Sequence, residues 1–130
     1  MSHLTHEQLD GLYNTLTEQR RVLRNEIRDE LLRSDDEQYN ELAGQVHDTG
    51  DESVADLIAD VNVVNVGRLI VELREVEAAL QRFSSGAYGA CEDCGVEIPL
   101  ARLQAYPAAR RCLVDQEKYE KSHGEEHARL

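Results

Sequence analysis

Apolar residues recur at helical spacing through the first third of the chain. The start is marked by Thr5, with Gln8 three residues later in the capping-box position. The apolar positions form a narrow stripe, and the residues between them are mostly charged or polar: Leu9, Leu12, Leu16, Leu23, Ile27, Leu31, Leu42 and Val46. This pattern predicts one amphipathic helix from Thr5 to Val46, about 60 Å long, loosened or kinked at residues 34–36.

A second apolar stripe precedes Gly86, and its steps alternate between three and four residues. Read backward, it consists of Phe83, Leu80, Val76, Leu73, Leu69, Val66, Asn62, Ala59 and Ala55. Such alternation is typical of a heptad seam, here with one polar and two small members. Residues 47–51 carry a turn signal between the two stripes. Because two long helices joined by a short turn pack antiparallel, we expect a hairpin arm with residues 47–53 at its far end.

The last third of the chain has a different pattern. Residues 88–91 and 96–98 suggest two short strands around a Cys-x-x-Cys turn, followed by one helical turn at 100–103 and a last helix after Pro107 that includes Cys112 and Asp115. The predicted fold is therefore mostly α. It consists of a long antiparallel helical hairpin (coiled coil) over residues 1–86, with its tip at 47–53. A small zinc-finger knob follows over 87–130, with a short β-hairpin and a C-terminal helix.

The cysteine spacing indicates a metal site. Cys91 and Cys94 form a two-thiolate hook, and Cys112 follows at zinc-finger spacing with Asp115 where a fourth ligand belongs. A carboxylate can bind Zn²⁺, so we expect one zinc ion, held less tightly than by four thiolates. The alternatives are a metal-free knuckle held by packing, and replacement of the fourth ligand by a C-terminal histidine, His123 or His127.

Composition limits the partners. Aspartate and glutamate number 26 against 14 lysines and arginines, and the net charge is −12. We expect no direct DNA or RNA binding and no contact with an acidic membrane, and a basic cavity in a larger protein is the natural partner. Three cysteines do not make a disulfide framework, and the polar first residues predict no signal peptide. These features favour a cytoplasmic protein.

The second half of the chain resembles the zinc-finger segment of the DksA/TraR family of bacterial regulators. The resemblance rests on Tyr88-Gly89-x-Cys91-x-x-Cys94-Gly95-x-x-Ile98-Pro99, then Arg102-Leu103-x-Ala105-x-Pro107 and Cys112-x-x-Asp115. It implies a non-enzymatic transcriptional regulator that binds RNA polymerase in its secondary channel. An acidic tip motif of such proteins approaches the polymerase active centre, and the family spacing places that motif at Asp48, Asp51 and Ser53.

The tip residues have a second interpretation, because acids are also favoured as helix caps. Ser53 departs from the usual alanine of the family motif. The resemblance further implies that Arg68 contacts the polymerase, although it could equally be a solvated position on the arm.

Binding of the alarmone ppGpp at the polymerase interface is doubtful for this chain. The corresponding positions are Glu75, Tyr106 and Gln116, and none carries a positive charge. The competing function classes are a coiled-coil adaptor and a thiol or zinc redox-responsive protein. The second would normally need a βαβ context, which the pattern does not predict.

Overall fold

The computed structural model of the chain describes residues 3–50, 52–61 and 66–128, with side-chain surroundings as far as residue 122. Within these ranges most of the chain is helical. The helices are α1 (His6–Leu32), α2 (Glu37–Asp48), α3 (Val54–Leu57), α4 (Val66–Ser85), α5 (Leu100–Ala105) and α6 (Leu113–Ala128). The mostly α fold, with a long helical hairpin and a small knob, is confirmed.

Helices α1 and α4 form the antiparallel hairpin. The Tyr13 and Phe83 rings meet edge to face, with their centroids 5.3 Å apart. Farther along α1, the Arg24 guanidinium lies 3.5 Å from the Glu77 carboxylate. As residue numbers rise along α1, the numbers of the contacting residues in α4 fall, so the two helices run antiparallel. Thr5 caps α1, and both hydrogen bonds of the predicted capping box with Gln8 are present. The stripes of both helices meet in the core: Leu12, Leu16, Leu23, Ile27 and Leu31 with Val66, Leu69, Leu73, Val76 and Leu80.

The prediction of one helix from Thr5 to Val46 is wrong, because the chain turns between Leu32 and Glu37. Asp36 caps α2 by accepting a hydrogen bond from the Gln38 amide at 2.8 Å, and the Ser34 hydroxyl accepts one from the Asp36 amide at 3.1 Å. Such local bonds offer the backbone an alternative to continued helix. Helix α2 then runs back along α1 and buries Ala43 and Val46.

The reversal moves the predicted tip. His47 lies against Arg28, and the carbonyl of Thr49 accepts a hydrogen bond from Arg24 at 3.0 Å. Residues 47–50 therefore lie beside the middle of α1, and the expectation that they stand at the far end of an extended arm is wrong. The α1–α2 turn lies at the end of α1 instead. Asn62, predicted in the seam, lies outside the described residues.

The knob joins the arm at the end of α4. Tyr88 stacks on Phe83 with ring centroids 3.9 Å apart, and its hydroxyl donates to the Pro107 carbonyl at 2.8 Å. The predicted β-hairpin is reduced to a single antiparallel bridge between Ala90 and Glu97. Buried residues from both sides of residue 86 belong to one hydrophobic cluster. In the described part of the chain, no helix is both long and apolar enough to span a membrane.

Candidate metal centre

Four side chains converge at one corner of the knob. Ligand atoms of Cys91, Cys94, Cys112 and Asp115 all lie within 4.8 Å of one another. The hook that carries the first two cysteines is closed by the Gly95 amide, which donates to the Cys91 carbonyl at 2.9 Å. Gly95 has a φ of 77°, a left-handed conformation that glycine adopts without strain, as its place after the hook predicts.

The other two side chains come from the start of α6. Cys112 immediately precedes the helix, and its carbonyl accepts a hydrogen bond from the Gln116 amide at 2.9 Å. Asp115 lies in the first helical turn, and its amide points at the Cys112 sulfur at 3.5 Å. The helix start therefore supplies both groups on one side, close to the predicted arrangement, although α6 begins one residue after Cys112.

The distances suit one tetrahedral zinc ion. The sulfurs of Cys94 and Cys112 are 3.9 Å apart, and Zn–S bonds of about 2.3 Å at tetrahedral angles place two sulfurs roughly 3.8 Å apart. The Cys91 sulfur lies 3.1 Å from the Asp115 carboxylate, slightly closer than two ligands of one ion require. Three thiols and one carboxylate fit a single zinc ion.

The electrostatics of the cluster also suit a cation. The hydrogen bond with the Asp115 carboxylate is the main reason that the pKa of the Cys94 thiol rises to about 12. Burial raises the pKa of Cys91, but backbone hydrogen bonds from Cys112, Cys94 and Asp93 outweigh it and hold that pKa below its ordinary value. Hydrogen bonds from the Cys94 and Cys91 thiols lower the pKa of Asp115. A divalent cation reverses the mutual repulsion of these anionic groups and favours all four in the deprotonated form.

A charged clamp outside the cluster holds the hook against α6. The Arg111 guanidinium binds Asp93 at 2.8 Å and Glu92 at 2.9 Å, and it stacks on the Tyr119 ring at 4.0 Å. The Glu92 amide donates to the Arg110 carbonyl at 2.8 Å. Sequence reasoning missed this clamp, although two arginines directly before Cys112 and two acids inside the hook are a visible charge match.

The predicted tip residues have different surroundings. Asp48 is the last residue of α2 and is exposed. Ser53 caps α3, accepting a hydrogen bond from the Asp56 amide at 3.1 Å and donating one to Glu77 at 3.0 Å. Asp51 lies outside the described residues. The helix-cap interpretation therefore does not apply to Asp48, because Ser53 is the residue that caps the following helix.

A partly buried ion pair fixes this segment and was not predicted. Arg24 and Glu77 are 13% and 14% exposed at their side chains. Arg24 donates to the carbonyls of Thr49, Gly50 and Glu52, and Glu77 accepts from the Ser53 hydroxyl and from the amides of Val54 and Ala55. The pair satisfies backbone groups that the turn would otherwise leave without partners.

The remaining predicted residues lie on α4 and in the knob. Arg68 is 77% exposed and lies 4.0 Å from Glu72. Glu75 pairs with Arg110 at 2.8 Å, and Tyr106 lies under the Arg102 guanidinium at 5.9 Å. Gln116 donates to Glu120 at 3.2 Å on α6. Glu75 and Tyr106 line one cavity of about 600 Å³, whereas Gln116 is not part of its lining.

Comparison with known proteins supports the assignment of the knob. Residues 86–121 match the family model described as the prokaryotic dksA/traR C4-type zinc finger. The described cluster here has Asp115 as its fourth member instead of a cysteine. His123, considered as an alternative ligand, has a side chain outside the described part.

Curated proteins and a solved structure extend the similarity over the arm. The chain is 37% identical over 113 residues to general stress protein 16O of Bacillus subtilis, covering 82% of this chain and 65% of that protein. It is 32% identical over 97 residues to the RNA polymerase-binding transcription factor DksA of Escherichia coli, covering 72% of this chain and 64% of that protein. In both cases the match spans less than two thirds of the relative.

The fold comparison agrees with these matches. The transcription factor DksA2 from Pseudomonas aeruginosa superposes with a TM-score of 0.61 at 27% identity, covering 93% of this chain and 89% of that structure. The zinc-finger match, the relatives along the arm and the shared fold lead to one conclusion: the chain belongs to the DksA/TraR family.

Proposed function

We propose that this chain is a transcription regulator that binds RNA polymerase in its secondary channel and modulates initiation without binding DNA. Its arm enters the channel, and its acidic segment at residues 48–53 acts near the catalytic centre. The similarity to DksA of Escherichia coli, named for its binding to RNA polymerase, is the observation that carries the proposal. The protein acts by binding and catalyses no reaction.

The surroundings of Asp48 support a role outside the fold. A carboxylate at the last residue of a helix faces the negative end of the helix dipole, so Asp48 does not stabilise α2. Its side chain is exposed, and the cap of the next helix is already supplied by Ser53. An exposed acid that lowers the stability of its own helix is a good candidate for contact with a partner.

The chemistry of the proposed effect is electrostatic. Carboxylates from Asp48 and Asp51, brought close to a catalytic Mg²⁺ and the basic groups around it, bias a conformational equilibrium of the polymerase. In the present conformation Asp48 lies on the flank of the arm, so the flank faces the catalytic centre in the proposed complex. Arg68, exposed on α4, adds a contact with the polymerase.

The cavity beside Glu75 supports weak dependence on ppGpp at the polymerase interface. Its lining includes Glu18, Glu26, Glu72 and Glu75 and, among the described residues, no lysine, arginine or histidine. A polyphosphate at that position would meet carboxylates. With polymerase as partner, the cytoplasm is the proposed location.

Charge removal at the acidic segment tests the proposal. We expect Asp48→Asn and Asp51→Asn, singly and together, to reduce regulation of transcription while leaving affinity for core RNA polymerase within about twofold, because most contact area lies elsewhere on the arm and knob. Asp10→Asn, an exposed acid at the opposite end of α1 from the α1–α2 turn, is the charge-matched control. The measurements are circular dichroism, binding to purified core polymerase and transcription in vitro on the same four proteins and the wild type.

Each outcome has a defined meaning. Full regulation by the folded Asn variants would exclude the acidic segment from the mechanism and favour an adaptor. Loss of polymerase binding in those variants alone would assign the acids to docking. Failure of the wild-type protein to bind core polymerase would refute the function itself.

A further inference from the structure

The fold-back of α2 creates a groove against α1 that concentrates positive charge. This arginine groove has a volume of about 380 Å³, and its lining includes Thr17, Arg20, Arg21, Arg24, Arg28 and His47. Among the described residues, four guanidinium groups and one carboxylate, Glu18, line it, and Glu77 and Asp29 pair with Arg24 and Arg28 from outside the lining. In a chain with a net charge of −12, such a local excess of cations is unexpected.

The ion pairs of Arg21 and Arg28 do not use all the donors of these two arginines. Arg21 binds Glu18 through Nε and one amino group, and the other amino group has no partner among the described residues. Arg28 contacts Asp29 at 3.2 Å and the His47 ring at 3.4 Å. Arg24 is oriented by the loop carbonyls and by Glu77. The Arg21 and Arg28 guanidinium groups are thus positioned by neighbours that leave donors for a further acceptor.

We propose that the arginine groove binds a small phosphate-rich anion, such as a di- or triphosphate group. Guanidinium groups bind phosphate oxygens through paired, charge-assisted hydrogen bonds. The groove lies between α1 and α2, apart from the zinc cluster, and it shares Glu18 with the glutamate-lined cavity beside Glu75. The groove binds the anion without RNA polymerase.

Titration calorimetry with the full-length protein and inorganic tripolyphosphate tests the site. We expect one ion per chain, with an affinity that falls as salt is raised. Arg21→Gln and Arg28→Gln should each weaken binding about tenfold, because each removes charge-assisted hydrogen bonds. Arg33→Gln is the matched control: Arg33 pairs with Glu30 three residues away, as Arg21 pairs with Glu18, but it lies outside the groove.

Several results would overturn the site. These are no heat of binding at millimolar tripolyphosphate, an equal loss of affinity in Arg33→Gln, or unchanged affinity in both groove variants. A parallel titration with a nucleoside triphosphate identifies the source, since tighter binding than tripolyphosphate indicates a nucleotide and equal or weaker binding indicates the free polyphosphate.

Discussion

Asp115 determines how firmly the knob holds its metal. It takes the fourth position among three soft thiolates, and a carboxylate oxygen is a harder ligand that zinc exchanges more readily. The geometry of the cluster nevertheless suits a carboxylate as fourth ligand, since the Cys91 sulfur lies 3.1 Å from the Asp115 carboxylate. A site of this composition should fold with zinc and release it more easily than a four-cysteine site.

We expect Asp115→Ala to lower zinc affinity roughly a hundredfold, because it removes a ligand, and Asp115→Cys to raise it. Zinc content by elemental analysis and competition with a chromogenic chelator would measure both. His123→Ala serves as the control and should retain the wild-type affinity. The reverse order, with His123→Ala losing the metal and Asp115→Ala keeping it, would move the fourth ligand to the C-terminal segment.

The predictability of these residues differs for a physical reason. The metal ligands follow from the sequence because zinc fixes short, characteristic spacings, and Gly95 follows from the turn they require. Arg24 and Glu77 do not, because nothing local distinguishes them from other charged residues on helices. Their partners are backbone groups brought together only by the complete fold.

At the scale of helices, periodicity identifies the buried face but not the direction of the chain. Leu42 and Val46 continue the stripe of α1 at helical spacing, and Val46 is buried as expected. The same spacing suits a helix that continues forward and one that folds back, because either buries an apolar face. The deciding signal is the run Ser34-Asp35-Asp36, where side chains cap a new helix start. The two predicted strands were also wrong. On either side of the Cys-x-x-Cys hook, the described residues form a single antiparallel bridge between Ala90 and Glu97.

Removal of the α2 cap should therefore cost measurable stability. We expect Asp36→Ala to lower the free energy of unfolding by about 1 kcal/mol, because the Gln38 amide loses its acceptor. Asp35→Ala removes the same charge from a neighbouring residue that does not cap α2, and it should change stability by less than about 0.5 kcal/mol. Thermal and urea unfolding followed by circular dichroism would compare the two. Equal losses would mean that charge, and not the cap, matters at this turn.

At the scale of the molecule, the net negative charge conceals a local cluster of positive side chains. The composition indicates an acidic protein, and the glutamate-lined cavity agrees with that average. The arginine groove does not: its four arginines all lie on α1, where residues 20, 24 and 28 share one face at steps of four, and the reversal adds the α2 wall with His47. Composition does not reveal the groove, because a count of charges carries no positions, and the wall depends on a reversal that was not predicted.

The position of Arg24 links two parts of the molecule. It lines the groove and also donates to the loop carbonyls of Thr49, Gly50 and Glu52. By thermodynamic linkage, an anion that needs Arg24 in this orientation raises the free energy of detaching the loop, by about 2.7 kcal/mol at a hundred times its dissociation constant. The effect is reciprocal, so anything that detaches the loop lowers the affinity for the anion by the same factor.

Amide hydrogen exchange would detect this coupling. The amides of Val54 and Ala55, held by Glu77, should exchange more slowly when tripolyphosphate saturates the groove, and Arg28→Gln should reduce the slowing. Exchange rates that do not change on saturation would show that the two sites are independent. Where they are coupled, the concentration of a small anion sets how tightly the segment after Asp48 is held to the arm, and hence how readily its acids can move toward a partner.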